Sequence, residues 1–166
     1  MKAPILPVSG LILNGARLFQ RVGISCTFVS VMEIQISESR DIKREDIVEL
    51  YKANNWSSAN KPIELYNALM SSHSLVSAWE GEKLVGIGNA ISDGHLVVYY
   101  PHLLVHPSFQ GRGIGQLIMK KMQERYRHFH MQMLTADGRA IAFYEKVGFV
   151  RAGETESMWI YQGGEH

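Results

Sequence analysis

The spacing of hydrophobic and polar residues predicts a mixed α/β domain over residues 32–166. Period-two alternation and apolar runs bounded by turn signals predict strands, whereas apolar residues three or four apart predict helices. Four helices are predicted. The first follows a cap at Asp41, the second begins at Pro62, the third begins at Ile114, and the fourth spans residues 137–147. The predicted strands are 33–38, 75–79, 84–91, 96–105, 131–134 and a final pair, 149–150 and 157–161.

This order, β-α-α-β-β-β-α-β-α-β-β, predicts a mixed sheet covered by helices. Pro101 interrupts the long strand 96–105. Because proline has no N–H to donate to a neighbouring strand, it predicts a bulge there. A break in pairing would leave backbone groups of Leu103 and Val105 free for an extended ligand, which would pair with them as a strand does. We therefore expect the site where two neighbouring strands part.

Residues 1–31 differ in pattern from the rest of the chain. They are apolar, glycine and proline interrupt any long period, and the first acidic residue is Glu33. Three interpretations are open. The stretch is an upstream extension or mis-set start with Met32 as the natural beginning, a basic targeting segment, or an added element packed on the domain. We favour the first and expect the domain to span 32–166.

Composition restricts the classes of function. With 166 residues, 46% of them hydrophobic and 20% charged, the chain is typical of one soluble globular domain. A net charge of +1 argues against nucleic acid as a main partner. No apolar run reaches the roughly 18–20 residues of a membrane helix. The single cysteine, Cys26, excludes an internal disulfide and fits a cytoplasmic location. The histidines are scattered, so we expect no metal site.

A glycine-rich turn between strand and helix is the most informative stretch. Gly111, Gly113 and Gly115 follow the strand that ends at Val105 and precede an amphipathic helix. Glycine permits backbone angles that direct successive N–H groups at one point, and the helix adds free N–H groups and its positive dipole end. Together they favour phosphate or pyrophosphate. A P-loop requires Lys followed by Ser or Thr after its last glycine, and the dinucleotide fingerprint requires Gly or Ala at position 116. Gln116 therefore argues against both motifs.

Two motifs in this order point to one family. Gln/Arg-x-x-Gly-x-Gly/Ala is met by Gln110, Gly113 and Gly115, and residues 137–149 resemble Asn-x-x-Ala-x-x-Phe-Tyr-x-x-x-Gly-Phe. From residue 32 to about 161, the chain resembles the GNAT superfamily of acetyl-CoA-dependent N-acetyltransferases. The resemblance implies a GNAT-like α/β fold: a mixed, mostly antiparallel sheet flanked by helices, with a splayed strand pair as the acyl-CoA site.

The resemblance also implies roles in binding acetyl-CoA. Backbone groups of Leu103 and Val105 would hold the pantetheine arm, and Gln110 would brace the turn. Asp137 stands where the family commonly has Asn, which puts in question a side-chain amide bond to that arm. The Arg112 side chain would add charge to the phosphates. The backbone N–H groups expected on the pyrophosphate are those of Gly111, Arg112, Gly113, Gly115 and Gln116.

For catalysis, the resemblance implies direct attack of an amine on the thioester, with Tyr144 as the general acid that protonates the leaving thiolate. The base is open. Histone-acetylating members have a glutamate at the position of Tyr99, and arylalkylamine-acetylating members have histidines at the positions of Tyr99 and Pro101. Tyr99, acting through water, and His102 are the candidates here. Strand alternation places His102 on the other face unless the bulge shifts it.

The expected acceptor is a small primary amine, with a peptide amine as the alternative. Trp56, Tyr66 and Trp159 are candidates for an aromatic pocket around an ammonium group, with core or loop packing as the alternative. The missing carboxylate base supports a second hypothesis, a non-catalytic acyl-CoA-binding module. A third is a nucleotide-binding protein of another fold. A homodimer would be a common assembly for a small domain.

Overall fold

The structure is a computed structural model that describes residues 33–158 and residue 160. The predictions for residues 1–31 and for Trp159 lie outside these residues. The strands are β1 (Ile34–Ser37), β2 (Ser74–Glu80), β3 (Lys83–Ser92), β4 (Val97–Val105) and β5 (Met131–Met133). The α-helices are α1 (Arg44–Ala53), α2 (Pro62–Met70), α3 (Ile114–Arg125) and α4 (Ile141–Lys146), and single 3-10 turns lie at Ser57–Asn60 and Pro107–Phe109. None of the helices in the described part is long and apolar enough to cross a bilayer.

The five strands form one sheet in chain order. Strands β1 to β4 pair antiparallel, and β4 pairs with β5 in parallel, a geometry that needs the crossover supplied by α3. The parallel pairing runs only from Val97 with Met131 to Tyr99 with Met133, whereas β4 continues to Val105. The two strands therefore part after Tyr99, which confirms the predicted splayed pair.

The bulge predicted at Pro101 is also confirmed. Asn89 of β3 pairs with His102 of β4, and Ile91 pairs with Tyr99. One residue of β3 therefore lies opposite two residues of β4, and Pro101 is one of those two. The extra residue shifts the alternation of side chains along β4. As a result, His102 and Tyr99 lie on the same face of the sheet.

Each face of the sheet carries its own hydrophobic cluster. Because both faces are covered by helices, β2 to β4 read as nearly continuous apolar runs. The main members of the cluster beneath α1 and α2 are Ile47, Leu50, Tyr51, Leu65, Leu69, Ile87 and Leu104. The main members of the cluster beneath α3 are Val76, Val85, Val98, Tyr100, Ile114, Ile118 and Met122.

Helix α3 lies directly on the backbone of β3, because two glycines of β3 face it. A Cβ added at Gly88 would lie 2.8 Å from Cγ2 of Ile118, and one at Gly86 would lie 2.9 Å from Cδ1 of the same residue. Only residues without a side chain allow this approach. The contact fixes α3, and with it the helix N-terminus, against the sheet.

Two predicted helix starts are wrong. Asp41 does not cap α1: the cap position is Lys43, which makes no side-chain cap hydrogen bond. The aspartate precedes the helix by too many residues to reach its first N–H groups. Helix α4 begins at Ile141 rather than Asp137, because the preceding residues form a turn in which the Ala140 N–H donates to the Asp137 carbonyl at 2.8 Å.

The predicted final strand pair is wrong for the residues that the structure describes. Residues 149–150, 157, 158 and 160 are not in strands. Val150 is 87% exposed and Met158 is 95% exposed, whereas Phe149 packs against the cluster beneath α3; one partly buried side chain does not make the apolar face of a strand. The stretch between them is polar apart from small residues, and short apolar pairs flanked in this way do not define a strand register.

Candidate functional site

The glycine-rich turn presents free backbone donors. Gly111 and Gly113 adopt left-handed backbone angles, with φ of 77° and 79°, and Gly113 caps α3 without any side-chain cap. The first paired N–H at this end is that of Leu117, which donates to the Gly113 carbonyl at 3.1 Å. The six N–H groups from 111 to 116 have no hydrogen-bond partner within the described chain. Such a row, at the positive end of a helix dipole, suits a phosphate or pyrophosphate.

Gly115 allows α4 to pack against the start of α3. A Cβ at this position would lie 3.2 Å from Cζ of Phe143, which is tighter than ordinary van der Waals contact. Phe143 precedes Tyr144 on α4. The absence of a side chain at Gly115 therefore brings the predicted general acid close to the turn.

Two side chains of the turn already have partners. The Nε2 of Gln110 donates to the Val105 carbonyl at 3.1 Å and ties the turn to the end of β4. The Arg112 guanidinium lies 2.8 Å from Oε1 of Glu80 and 5.0 Å from the centroid of the Phe109 ring. This cation is therefore engaged, and its contact with phosphate stays a prediction.

The far edge of β4 is open beyond the point where β5 ends. The His106 N–H donates to the Val85 carbonyl at 2.8 Å. Hydrogen-bonded pairs alternate along an antiparallel ladder, so Leu104 also directs its backbone groups to β3. Leu103 and Val105 direct theirs to the opposite edge. Apart from the Val105 carbonyl, which Gln110 occupies, these groups can pair with an extended ligand.

Tyr144 lies close to the parted strands. Its ring packs against Phe143 and Phe149, with centroids 5.1 and 6.0 Å away, and its hydroxyl has no hydrogen-bond partner among the residues described. Burial, and secondarily the charge of nearby Tyr99, raise the pKa of Tyr144, so the phenol is protonated at neutral pH. The hydroxyl of Tyr99 donates to Oγ1 of Thr135 at 3.3 Å, just beyond the end of β5.

His102 faces the side of the sheet that α1 and α2 cover. Its Nδ1 lies 2.7 Å from the Tyr51 hydroxyl, and its ring stands edge-on to Trp56 with centroids 5.1 Å apart. Burial lowers the pKa of His102 to about 4, so the imidazole is neutral at pH 7 and is a weaker base than a free histidine. Burial also raises the pKa of Tyr51, which keeps its phenol protonated.

The sequence pattern did not indicate Tyr51, although one signal was present. A tyrosine on the buried face of a helix needs a partner for its hydroxyl, and here that partner is His102. Trp56 and Tyr66 both pack against the cluster beneath α1 and α2. This packing is the alternative that the sequence left open, and an aromatic pocket for the ammonium group stays a prediction.

A cavity of about 580 Å³ lies between the end of α2 and strands β3 and β4. Ile91 in its wall pairs with Tyr99, and paired residues share a face, so the cavity adjoins the place where β4 and β5 part. Asn89 is a second residue that the sequence pattern did not indicate, although it is a polar residue within the apolar run 84–91. The lining residues are Ala68, Ser71, Ser72, His73, Asn89, Ile91, Ser92, Pro101 and His102.

Known proteins share this architecture. The family model of the GNAT acetyltransferase domain matches residues 38–159. The uncharacterized N-acetyltransferase ycf52 of Pyropia yezoensis is 25% identical over 134 residues, which cover 76% of each chain. A GNAT family acetyltransferase from Streptococcus pneumoniae is 28% identical with a TM-score of 0.69, and the match covers 78% of this chain and 99% of that one. An aminoglycoside N-acetyltransferase solved with CoA has a TM-score of 0.60 at 15% identity over 78% of this chain and 94% of that one, which shows the fold alone.

Proposed function

The chain belongs to the GNAT acetyltransferase family, and we propose that it transfers the acetyl group of acetyl-CoA to a small primary amine. One juxtaposition supports this proposal. The unpaired N–H groups from 111 to 116 follow directly on the open strand edge at Leu103 and Val105. The first feature suits a diphosphate, and the second suits an extended arm with amide groups. Acetyl-CoA has both parts, whereas a simple nucleotide has only the first.

The proposed reaction is direct attack in a ternary complex. Acetyl-CoA supplies an activated acyl group, its thioester. The amine nitrogen forms the new C–N bond, the C–S bond breaks, and the sulfur takes a proton. One free backbone N–H of the Leu103–Val105 stretch is the proposed donor to the developing oxyanion, because N–H groups two residues apart on a strand are too far apart to share one oxygen. Tyr144 is the proposed general acid, because its raised pKa keeps the proton on the phenol until the thiolate develops.

A base must remove the proton that the ammonium group carries in water. Tyr99 and His102 share one face of the sheet, and each is a candidate. His102 has a free lone pair at pH 7, but burial lowers its pKa to about 4 and so weakens it as a base. Tyr99 is the neighbour of Tyr144 and would relay a proton through water. If His102 is the base, His102→Asn lowers kcat and removes one limb of the pH profile, whereas Tyr99→Phe leaves that limb in place.

Release of free thiol from acetyl-CoA tests the proposal. The purified protein is incubated with acetyl-CoA and a panel of small amines and peptides, and we expect turnover with at least one small primary amine. Tyr144→Phe is expected to lower kcat by about 100-fold or more while the protein still binds CoA. Tyr100→Phe is the matched control, because Tyr100 is a buried phenol of the same hydrophobic cluster and its hydroxyl donates to Oε1 of Gln132 at 2.6 Å rather than to a residue of the proposed site.

The alternatives predict different results. A non-catalytic acyl-CoA-binding module would be stabilised by CoA in thermal melts and release no thiol with any amine. A nucleotide-binding protein of another fold would be stabilised by ATP or NAD rather than CoA. Equal kcat in wild type and Tyr144→Phe would remove Tyr144 from the mechanism while leaving acetyl transfer intact.

A further inference from the structure

Asn89 is a buried polar residue with one unsatisfied atom. Its side chain is 4% exposed, and its Nδ2 donates to Oγ of Ser72 at 2.8 Å. The Ser72 hydroxyl in turn donates to the Ala68 carbonyl at 2.8 Å. Because Ser72 has only one proton and uses it on Ala68, the amide N–H of Asn89 is the group that fits the Ser72 contact.

This orientation leaves Oδ1 of Asn89 buried, with no hydrogen-bond partner in the part of the chain that the structure describes. Native proteins rarely leave a buried acceptor unpaired, because the lost hydration is not replaced. Asn89 also lines the 580 Å³ cavity. A ligand in that cavity with an N–H or O–H group would supply the missing donor.

The cavity wall is mainly apolar, with several hydroxyl, amide and imidazole groups, and it carries no acidic or permanently basic side chain. None of its nine lining residues is Asp, Glu, Lys or Arg. Asp93, next to the lining residue Ser92, directs its Oδ1 into the β3–β4 turn, where three backbone N–H groups donate to it. The Arg40 guanidinium lies behind the wall and donates to the Ser72 carbonyl at 2.6 Å. A cation behind the wall and no carboxylate within it disfavour a ligand with several ammonium groups.

The cavity also reaches the proposed reaction centre. Pro101 and His102 form the wall next to the bulge, and Ile91 pairs with Tyr99. Tyr99 lies near enough to Tyr144 to contribute to its raised pKa. An amine nitrogen at this end would therefore lie beside the parted strands while the rest of the molecule extends toward Asn89 and Ser92.

We infer that this cavity holds the acceptor and selects a small amine whose non-reacting part is uncharged and carries a hydroxyl or N–H donor for Oδ1 of Asn89. Amino sugars and amino alcohols have this chemistry, and polyamines do not. The inference rests on the proposed acetyl transfer, since it names the substrate class for that reaction. It assigns specificity to a residue outside both glycine-turn and tyrosine motifs.

Steady-state kinetics with two probe amines test the inference. The wild-type protein is expected to show a kcat/KM for glucosamine at least tenfold above that for spermidine. Asn89→Leu, which keeps the approximate size but removes the acceptor, is expected to raise the KM for glucosamine about tenfold with kcat changed less than twofold. Asn89→Asp keeps an acceptor and adds a negative charge, so it is expected to shift the preference toward spermidine.

Ser74→Ala is the matched control. Ser74 Oγ is also buried and unpartnered, but Ser74 does not line the cavity, so its removal is expected to leave the KM for glucosamine within twofold. A preference of the wild type for spermidine overturns the inference. An unchanged KM for glucosamine in Asn89→Leu also overturns it, provided that thermal melts show that the variant is folded. If Asn89→Leu does not fold, an unchanged preference of Asn89→Asp between glucosamine and spermidine overturns it.

A second readout separates this inference from the proposed function. If the wild type turns over no amine, the acetyl-transfer proposal fails, and calorimetric titration of glucosamine into the CoA-saturated protein then tests the cavity alone. Binding to the wild type that is lost in Asn89→Leu supports the cavity assignment. Equal binding by both proteins, or binding by neither, overturns it.

Discussion

The two halves of the candidate site are built from different parts of the chain. The half beside α3 offers backbone groups: the free N–H groups of residues 111–116 and the open edge at Leu103 and Val105. The half beneath α2 offers side chains, chiefly those of Asn89, Ser72 and His102. Backbone donors are the same in every sequence that adopts the conformation, whereas side chains can be exchanged one at a time. The first half is therefore constrained by conformation, and the second by residue identity.

The largest effect is expected from a substitution in the half beside α3, which is constrained by backbone conformation. Gly113 caps α3 with φ of 79°, and a β-branched residue there would be strained by about 1–3 kcal/mol. Relief of that strain would move the N–H groups that we propose to bind the diphosphate. Gly113→Val is therefore expected to raise the dissociation constant for acetyl-CoA about fiftyfold, measured by calorimetry.

Gly94→Val controls for the strain itself. Gly94 has φ of 81° in the β3–β4 turn, at the other end of the sheet from the glycine-rich turn. It carries the same conformational penalty and is expected to lower thermal stability without changing the acetyl-CoA dissociation constant. An equal loss of affinity in both variants would show that backbone strain acts globally, and the division into two halves would fail.

A somewhat smaller effect is expected where α3 rests on the sheet. A Cβ at Gly88 would lie 2.8 Å from Ile118 and from Met122, so Gly88→Ala overpacks a filled interface. Such changes typically cost about 1–3 kcal/mol, and we expect about 2 kcal/mol in urea unfolding. Gly138→Ala is the control, because nothing lies within 4 Å of a Cβ there, and it is expected to change stability by less than about 0.5 kcal/mol.

The half beneath α2 contains His102, whose titration makes the free energy of unfolding depend on pH. Burial lowers the pKa of His102 to about 4 from an ordinary value of 6.5. Below pH 6.5, His102 therefore binds a proton in the unfolded chain but not in the folded protein. The free energy of unfolding consequently falls as the pH drops from 6.5 toward 4. Because the ring is partly exposed, we expect a loss of about 1–1.5 kcal/mol between pH 6.5 and 5.

His102→Asn removes this titration and keeps an oxygen near the Tyr51 hydroxyl. The difference in unfolding free energy between wild type and variant is expected to shrink as the pH falls from 6.5 to 5. Urea unfolding at several pH values measures it. A constant difference over that range would mean that the folded imidazole titrates as it does in water, and that the half beneath α2 does not bury it.

The same division explains what the sequence could predict. The glycine-rich turn is a local pattern, so Gly111, Gly113 and Gly115 indicated the half beside α3 directly from the sequence. The contacts of the other half join distant segments: Asn89 meets Ser72 across 17 residues, and Tyr51 meets His102 across 51. No local periodicity encodes such pairs. Pro101 is the intermediate case, because its missing N–H predicted the bulge but not which side chains the bulge brings together.

The predictions of short elements were wrong for a related reason. The run at 149–150 has too few residues for alternation to define a strand, and Asp41 resembles a cap although the helix begins beyond its reach. In both cases the local composition was compatible with the prediction, but the packing of neighbouring residues decided the outcome. The long, strongly patterned strands β2 to β4 had no such ambiguity, because both of their faces are buried.

The smallest effect is expected at Arg112, the charged residue among residues 111–116 of the half beside α3. Arg112 pairs with Glu80 at 2.8 Å, and the pyrophosphate would compete with that carboxylate for the guanidinium. A surface pair of this kind is worth about 0.2–1 kcal/mol. Glu80→Gln is therefore expected to lower the acetyl-CoA dissociation constant about twofold to threefold at low salt, and the gain should vanish in an Arg112→Ala background. If Glu80→Gln weakens binding instead, the carboxylate orients Arg112 for the phosphates rather than competing with them, and a side chain then belongs to the half that we assign to the backbone.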